Sequence, residues 1–515
     1  MSDLLFKDIK FGKIDAKHEL QDFGDDLYML SFLPYDRYRI EDFLDGKLYY
    51  ICGRKGTGKT AFLQYLKCKK NEDSQNLVVF IRFKSEFDSV EKASLIQSAN
   101  KHDNVVNVLP DDSNMSYVDA WCAYIINCII SECKKGEYEV FADDENFSIL
   151  KKILKGLYAE KEDRIVPSLK KGRALLGLSS ESGFSAELEA EIGFDKMTKQ
   201  VDFLKTTKKI ISLFKLLRFE RTPVHIFFDE LELSVVSKKE YNRDVKIVRD
   251  LILAVEKMNE IAKENHFDIK IIASVRSDIV DNINAAGMEI NKCIEDRGVK
   301  IDWYHQGGDY RDSPLLKLIE NKIHVSEQEM GFPKSENVWE EYFPLQVNDD
   351  VDIQKYILSL TWQRPRDIIR MMSLLQSYTG DSHTATKEAF DRIMRDYSSS
   401  TWNEIAEELK LAFPGAKDLE AIKQFFTGIE VPFTFQYLQT LVDTKSAIYD
   451  YVDNFFKKTK LINFLEKMYE WGVIGNSGQR MAFTFMGDST LDPTHDMIIH
   501  QPLRKFFNVR SRRKI

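Results

Sequence analysis

Apolar and polar positions along this chain follow two periods, and the switches between them mark its elements. Short apolar runs rich in β-branched and aromatic residues predict strands buried in a sheet; they lie at 47–52, 76–84, 224–230 and 268–276. The run at 76–84 reads as a strand covered on both faces. Apolar residues three and four apart predict amphipathic helices at 115–133, 196–219, 241–265 and 315–323. Val118, Trp121, Cys122, Ile125, Cys128 and Ile129 form the stripe of the first. Val248, Leu251, Ile252, Val255 and Met258 form that of the third. Strands alternating with helices predict an α/β domain with a parallel sheet.

The first strand runs into Gly53-Arg54-Lys55-Gly56-Thr57-Gly58-Lys59-Thr60, with Ala61 inside the following helix. A Gly-rich turn between strand and helix, closed by Lys and Thr, is a phosphate-binding loop. Glycines at 53, 56 and 58 let the backbone curl so that N–H groups face phosphate oxygens, at the positive end of the new helix. Lys59 is expected at the β- and γ-phosphates, and the Thr60 hydroxyl on Mg²⁺. The strand at 224–230 ends in Asp229-Glu230: Asp229 is expected to hold the metal and Glu230 to polarise the attacking water. Ser274, Arg276 and Asp278 lie where the strand at 268–276 runs into a polar turn, at the end of a sheet where ligands bind. Arg276 has two readings, a charge neutraliser in the transition state or a salt bridge to a neighbouring loop.

Composition sets limits. The 515 residues, 43% hydrophobic and 30% charged, describe a globular protein with more than one core. A net charge of −9 argues against a chain coated all over in nucleic acid, while leaving room for one basic surface. Six cysteines without C-x-x-C spacing predict buried reduced thiols and a cytoplasmic protein. The longest apolar run, 120–130, is too short to span a bilayer, so no membrane partner is expected.

The expected domains are a lead-in at 1–46 packed on the core, an ATPase core at 47–300 with a helical insertion at about 134–195, a helical lid at 301–405, and a last domain at 406–515. Phe11, Tyr35 and Tyr38 of the lead-in read as packing residues or as a cover for adenine. The insertion ends in a β-hairpin pattern at 177–193. In the lid, Arg364-Pro365-Arg366 opens a helix; Arg366, with Arg364 in reserve, is placed to reach back over a nucleotide. The last domain has three short helices and a strand pattern at 480–485, as in a winged helix. Its tail carries Arg504, Lys505, Arg510, Arg512, Arg513 and Lys514, which could pair with duplex DNA; a protein partner fits equally.

The loop, the Asp-Glu strand, the Arg276 strand and the Arg-Pro-Arg segment together resemble the additional-strand P-loop ATPases of the AAA+ and STAND kind. They are similar above all to bacterial P-loop ATPases with a G-R-K-G-[TS]-G-K-[TS] loop and a winged helix, and more loosely to origin-recognition-type initiators. The resemblance implies a P-loop NTPase three-layer core, ATP and Mg²⁺ as cofactors, slow hydrolysis and a nucleotide-driven switch. It places Glu230 where such ATPases keep their base, likens 364–370 to the sensor-2 helix of AAA+ lids, and points by analogy to antiviral defence. Arg276 and Arg297 are candidates for an arginine acting across an oligomer, and an effector function would belong to a protein partner. The alternative is a catalytically weak, nucleotide-stabilised scaffold that binds DNA or protein through its last domain.

Overall fold

The computed structural model describes residues 4–34, 36–73, 75–83, 117–135, 138–159, 168–169, 190, 192, 203–231, 238–347, 351–478 and 480–511. They divide into two compact units. One comprises the described residues of 36–55 and 59–301, and the other those of 1–35, 56–58 and 302–515.

The first unit is built on five parallel strands: β1 (Tyr50–Gly53), β2 (Leu77–Arg82), β3 (Val224–Leu231), β4 (Ile269–Arg276) and β5 (Gly298–Lys300). Their order across the sheet is β2-β3-β4-β1-β5. The interior strands β3 and β4 are almost wholly buried, which is why their sequences run apolar without alternation. β2 differs from its expectation. It is an edge strand in which Leu77, Val79 and Ile81 are buried while Val78, Phe80 and Arg82 are half-exposed. A run of β-branched and aromatic residues says strand, but not what lies beside it.

Helix α1 (Lys59–Asn71) opens at the end of the Gly-rich turn and packs on β3. Helix α2 (Val118–Lys135) is buried over the whole of 120–130, not along one stripe. It lies against α3 (Phe203–Lys215) and α4 (Lys238–Glu264), so every face meets protein. Part of the expected insertion forms a helix at Glu145–Leu157 and a two-stranded antiparallel pair, Tyr158–Ala159 with Ser168–Leu169. The hairpin pattern at 177–193 falls outside the described residues but for 190 and 192. Tyr38 is buried and stacks on Phe62 of α1 at 4.8 Å, a core contact and not a free platform; Tyr35 lies outside the described residues.

The second unit is mostly helical. The expected lead-in is split, since 4–34 folds here and only 36–46 with the sheet. Phe6 packs on Phe11 and Phe343, and Gln376 donates to the carbonyls of Phe6, Lys7 and Ile9. Phe11 is therefore core as well. Helix α5 (Pro314–Glu329) buries Lys322 against Glu19 and Ser31. Helix α6 (Pro365–Thr379) starts with proline at its first position, where no N–H is needed. Helix α7 (Lys387–Ala412) runs unbroken across the expected 405/406 boundary. Beyond it come four short helices: Asp418–Phe426, Phe435–Ser446, Asp450–Lys458 and Leu461–Glu470. A three-stranded antiparallel sheet follows, with Ile474–Ser477 between Met481–Ala482 and Met497–Ile499. Trp362 joins the core of this last part: its indole donates to the Gly472 carbonyl, and its ring packs edge-on against His500.

Candidate functional site

Strand register brings the predicted polar residues of the first unit to one edge of the sheet. Gly53 pairs with Arg276 across β1 and β4, and Arg82 with Asp229 across β2 and β3. These are the carboxyl ends of four parallel strands, where an α/β sheet offers its binding edge. Asp229 and Glu230 sit at a bulge. β3 and β4 are in step up to Phe228 and Ala273 and resume at Leu231 and Val275, so two residues of β3 face Ser274 alone. Glu230 takes φ 56°, a left-handed backbone that costs a side-chain-bearing residue energy. The bulge buries Asp229 and leaves Glu230 half-buried next to it.

Each acid has a different setting. Asp229 is 1% exposed; one carboxylate oxygen accepts from the Ser274 hydroxyl, and the other, also buried, has no hydrogen-bond partner among the described residues. Glu230 lies 3.8 Å from a guanidinium nitrogen of Arg82, which ties it to the edge strand. Arg276 forms a two-pronged pair with Asp278, two residues on in the helix that follows the strand and not in a neighbouring loop, at 3.0 and 2.9 Å. Lys59 folds back onto the loop, its ammonium 2.9 Å from the carbonyls of both Gly53 and Arg54. Of the three loop glycines, Gly56 (φ 85°) and Gly58 (φ 91°) use the left-handed region, whereas Gly53 is an ordinary strand residue. The thiol of Cys52, just before the loop, is pushed up to about 12 by burial, against the pull of Lys59 and Lys300, so it stays neutral.

The crest of the loop, 56–58, belongs with the second unit. The Arg366 N–H donates to the Gly56 carbonyl at 3.3 Å, and the Trp303 indole N–H to the Thr57 carbonyl at 2.9 Å. A Cβ on Gly56 would stand 3.2 Å from that of Arg366. Arg364 pairs with buried Asp367 through two bonds, 2.7 and 3.0 Å. Arg364, Arg366 and Arg370 all converge on Glu404 of α7. Burial alone would raise the Glu404 carboxyl, but the three guanidinium groups outweigh it and hold it down at about 2.

The residues fit a magnesium-bound nucleotide. A buried carboxylate oxygen without a partner suits a cation or its water shell. Among the described residues no three His, Cys, Asp or Glu side chains converge; Mg²⁺ takes few protein groups and completes its shell with water and phosphate. Thr60 and Asp229 would hold it, and 53–61 would cradle the phosphates. Sequence reasoning missed Arg82, Trp303, Asp367 and Glu404. Trp303 lies 246 residues from Thr57, and no local pattern joins them.

Among the described residues no helix is long and apolar enough to cross a membrane. Arg504 of the basic tail donates its Nε–H to the Ile499 carbonyl, and burial lowers its basicity, so it serves the fold. Lys505 and Arg510 remain at the surface, and 512–515 lie outside the described residues.

The class that emerges is an α/β protein with a five-stranded parallel sheet and a C-terminal helical part. Residues 313–406 are similar to the FunZ-associated C-terminal helical domain. That stretch runs from α5 through α6 and most of α7, and it contains Arg364, Arg366, Asp367, Arg370 and Glu404. In this chain 407–515 follow it. No curated protein matches the chain.

Proposed function

We propose that the chain binds Mg·ATP on the loop 53–60 and hydrolyses it slowly, using the nucleotide as a conformational switch. One observation carries this reading. The strand leading into the loop and the strand ending in Asp229-Glu230 are separated in the sheet by a single further strand, and both open at the same edge. That is the order expected of an additional-strand ATPase, and it supports the resemblance in the loop.

Each residue then has a task. Backbone N–H groups of the loop and the start of α1 bind phosphate oxygens. Lys59 exchanges its two carbonyl partners for the β- and γ-phosphates. Thr60 and Asp229 would hold Mg²⁺, which when bound would supply positive charge to the phosphates. Glu230 orients a water and takes its proton, and Arg82 keeps that carboxylate aimed. Arg366, whose backbone holds Gly56, is the arginine for the terminal phosphate. Arg276 is engaged by Asp278, so we give it a supporting part in shaping the turn after β4.

The test is phosphate release by the full chain with and without Mg²⁺. Turnover that needs Mg²⁺ and disappears in Glu230→Gln, with ATP binding retained, supports the reading. Turnover at the unmutated rate in Glu230→Gln contradicts the role of that residue.

A second reading, a nucleotide-stabilised scaffold acting through 406–515, draws on the last helices and their small sheet. The helix Leu461–Glu470 exposes Asn463, Glu466, Lys467 and Glu470, with Lys467 paired to Glu470. That surface favours a protein partner over a phosphate backbone. Tight ATP retention without turnover, in the presence or absence of duplex DNA, would select it.

A further inference from the structure

Two successive carbonyls at the crest of the loop are tied down, and the bonds have a consequence for the opposite side of the backbone. In a trans peptide the C=O of one residue and the N–H of the next point in opposite directions. The only cis bond among the described residues is Val431–Pro432. With the Gly56 carbonyl turned to the Arg366 N–H and the Thr57 carbonyl to the Trp303 indole, the N–H groups of Thr57 and Gly58 are turned away from both. These are the donors that a phosphate-binding loop presents. The positive φ of Gly56 and Gly58 permits the turn; the two bonds select it.

We propose that Trp303 is a positioning residue for nucleotide binding, its indole N–H fixing the Thr57 carbonyl and so aiming the Gly58 N–H at a bound diphosphate group; this rests on the nucleotide reading above. Trp303 is 2% exposed, and its bond to Thr57 is shielded from water. Indole nitrogen is a donor only, so the bond has one polarity and fixes the peptide plane one way round. The loop is thereby set before any ligand arrives, which lowers the ordering cost of binding. Trp303 acts through the main chain and touches no substrate. It therefore governs affinity for any nucleotide with a diphosphate and leaves the chemical step alone.

The experiment titrates ATP and ADP into the full chain, into Trp303→Phe, which keeps an aromatic ring without the donor, and into Trp303→His, which restores a ring N–H. Lys59→Ala serves as the control for the loop itself. Trp303→Phe is expected to weaken ATP and ADP alike by about threefold to tenfold, the worth of one hydrogen bond. KM for ATP should rise by the same factor with kcat unchanged. The melting temperature without nucleotide falls as well, because the buried Thr57 carbonyl loses its donor, so the split between KM and kcat and not the melting temperature identifies the role. Trp303→His should recover part of the affinity. Should Trp303→Phe fail to fold, Trp303→His carries the test: affinity for both nucleotides between the parent and Lys59→Ala, with kcat kept, supports the proposal. Parent-like affinity in whichever variant folds overturns it, and so does a fall in kcat equal to the rise in KM. A parent chain that binds no nucleotide, or binds it unchanged in Lys59→Ala, overturns the underlying reading and this proposal with it. Binding lost in Lys59→Ala but unchanged in Trp303→Phe removes the Trp303 role alone.

Discussion

At the edge of the sheet, buried Asp229 keeps one carboxylate oxygen without a hydrogen-bond partner among the described residues. In the helical unit, Glu404 is met by three arginines and Asp367 by a fourth contact set from Arg364. The first arrangement leaves negative charge to be answered from outside. The second answers both of its carboxylates internally, two acids meeting three arginines, and is left with one positive charge. Buried charge that is paired holds a fold together, and buried charge that is not paired costs stability unless a ligand supplies the counter-ion. On the reading proposed above, the first region awaits a cation, whereas the arginines of the second must be drawn away from Glu404 before they can serve a phosphate.

The sharpest way to break this contrast is to compare catalysis at the two places. Glu230→Gln should lower kcat by about 10²–10⁴-fold with ATP affinity kept, the range for loss of a general base. Arg366→Ala should cost less, because Glu404 already occupies that side chain. The reverse order, read by phosphate release, would mean that the arginine and not the acid dominates the chemistry.

Stability without nucleotide tests the contrast next. Glu404→Ala strands the guanidinium groups of Arg366 and Arg370, while Arg364 keeps Asp367, and should destabilise the nucleotide-free protein by about 3–5 kcal/mol, the cost of breaking a buried ion pair from one side. Asp229→Asn removes a buried charge with an unanswered oxygen. It should leave thermal stability unchanged or raise it, while abolishing the response to Mg²⁺. A fall in stability for Asp229→Asn as large as for Glu404→Ala, in denaturant titrations, would erase the distinction.

A smaller effect is expected at the crest of the loop. Gly56→Ala places a side chain at φ 85° and 3.2 Å from the Arg366 Cβ. Backbone strain of about 1–3 kcal/mol should appear as weaker ATP binding in calorimetry. A pH effect of similar size follows. The Glu404 carboxyl lies at about 2 in the folded chain against an ordinary value of 4.5. A depressed acid adds stability that is full above 4.5 and is lost as pH falls toward 2. Chemical denaturation between pH 5 and pH 2.5 should therefore show a steeper loss in the parent than in Glu404→Gln.

Much of the sheet was legible because interior strands run largely apolar, as 224–228 and 269–275 do apart from His225, Lys270 and Ser274. The loop was legible because its chemistry needs fixed residue types at fixed spacing. The edge position of 77–82 was not, since a strand's neighbours are set by register and not by its own composition. Nor was the bulge at 229–230: it exists only relative to Ser274 on another strand. The burial of 120–130 on all faces depends on two helices far along the chain. In the site, Lys59, Thr60, Asp229 and Glu230 announced themselves by motif. Nothing in the local pattern singled out Arg82, Trp303 or Glu404. Each works through a partner 34 to 246 residues away, a separation at which local pattern carries no signal.

The central claim is that 53–60 cups a triphosphate against a magnesium ion held through Thr60 and Asp229. Calorimetric titration of ATP into the full chain, once in Mg²⁺ and once in EDTA, tests it most directly. A single saturable site that weakens by at least about tenfold when Mg²⁺ is removed is the predicted result. No heat of binding in either buffer, or equal affinity in both, would contradict the account.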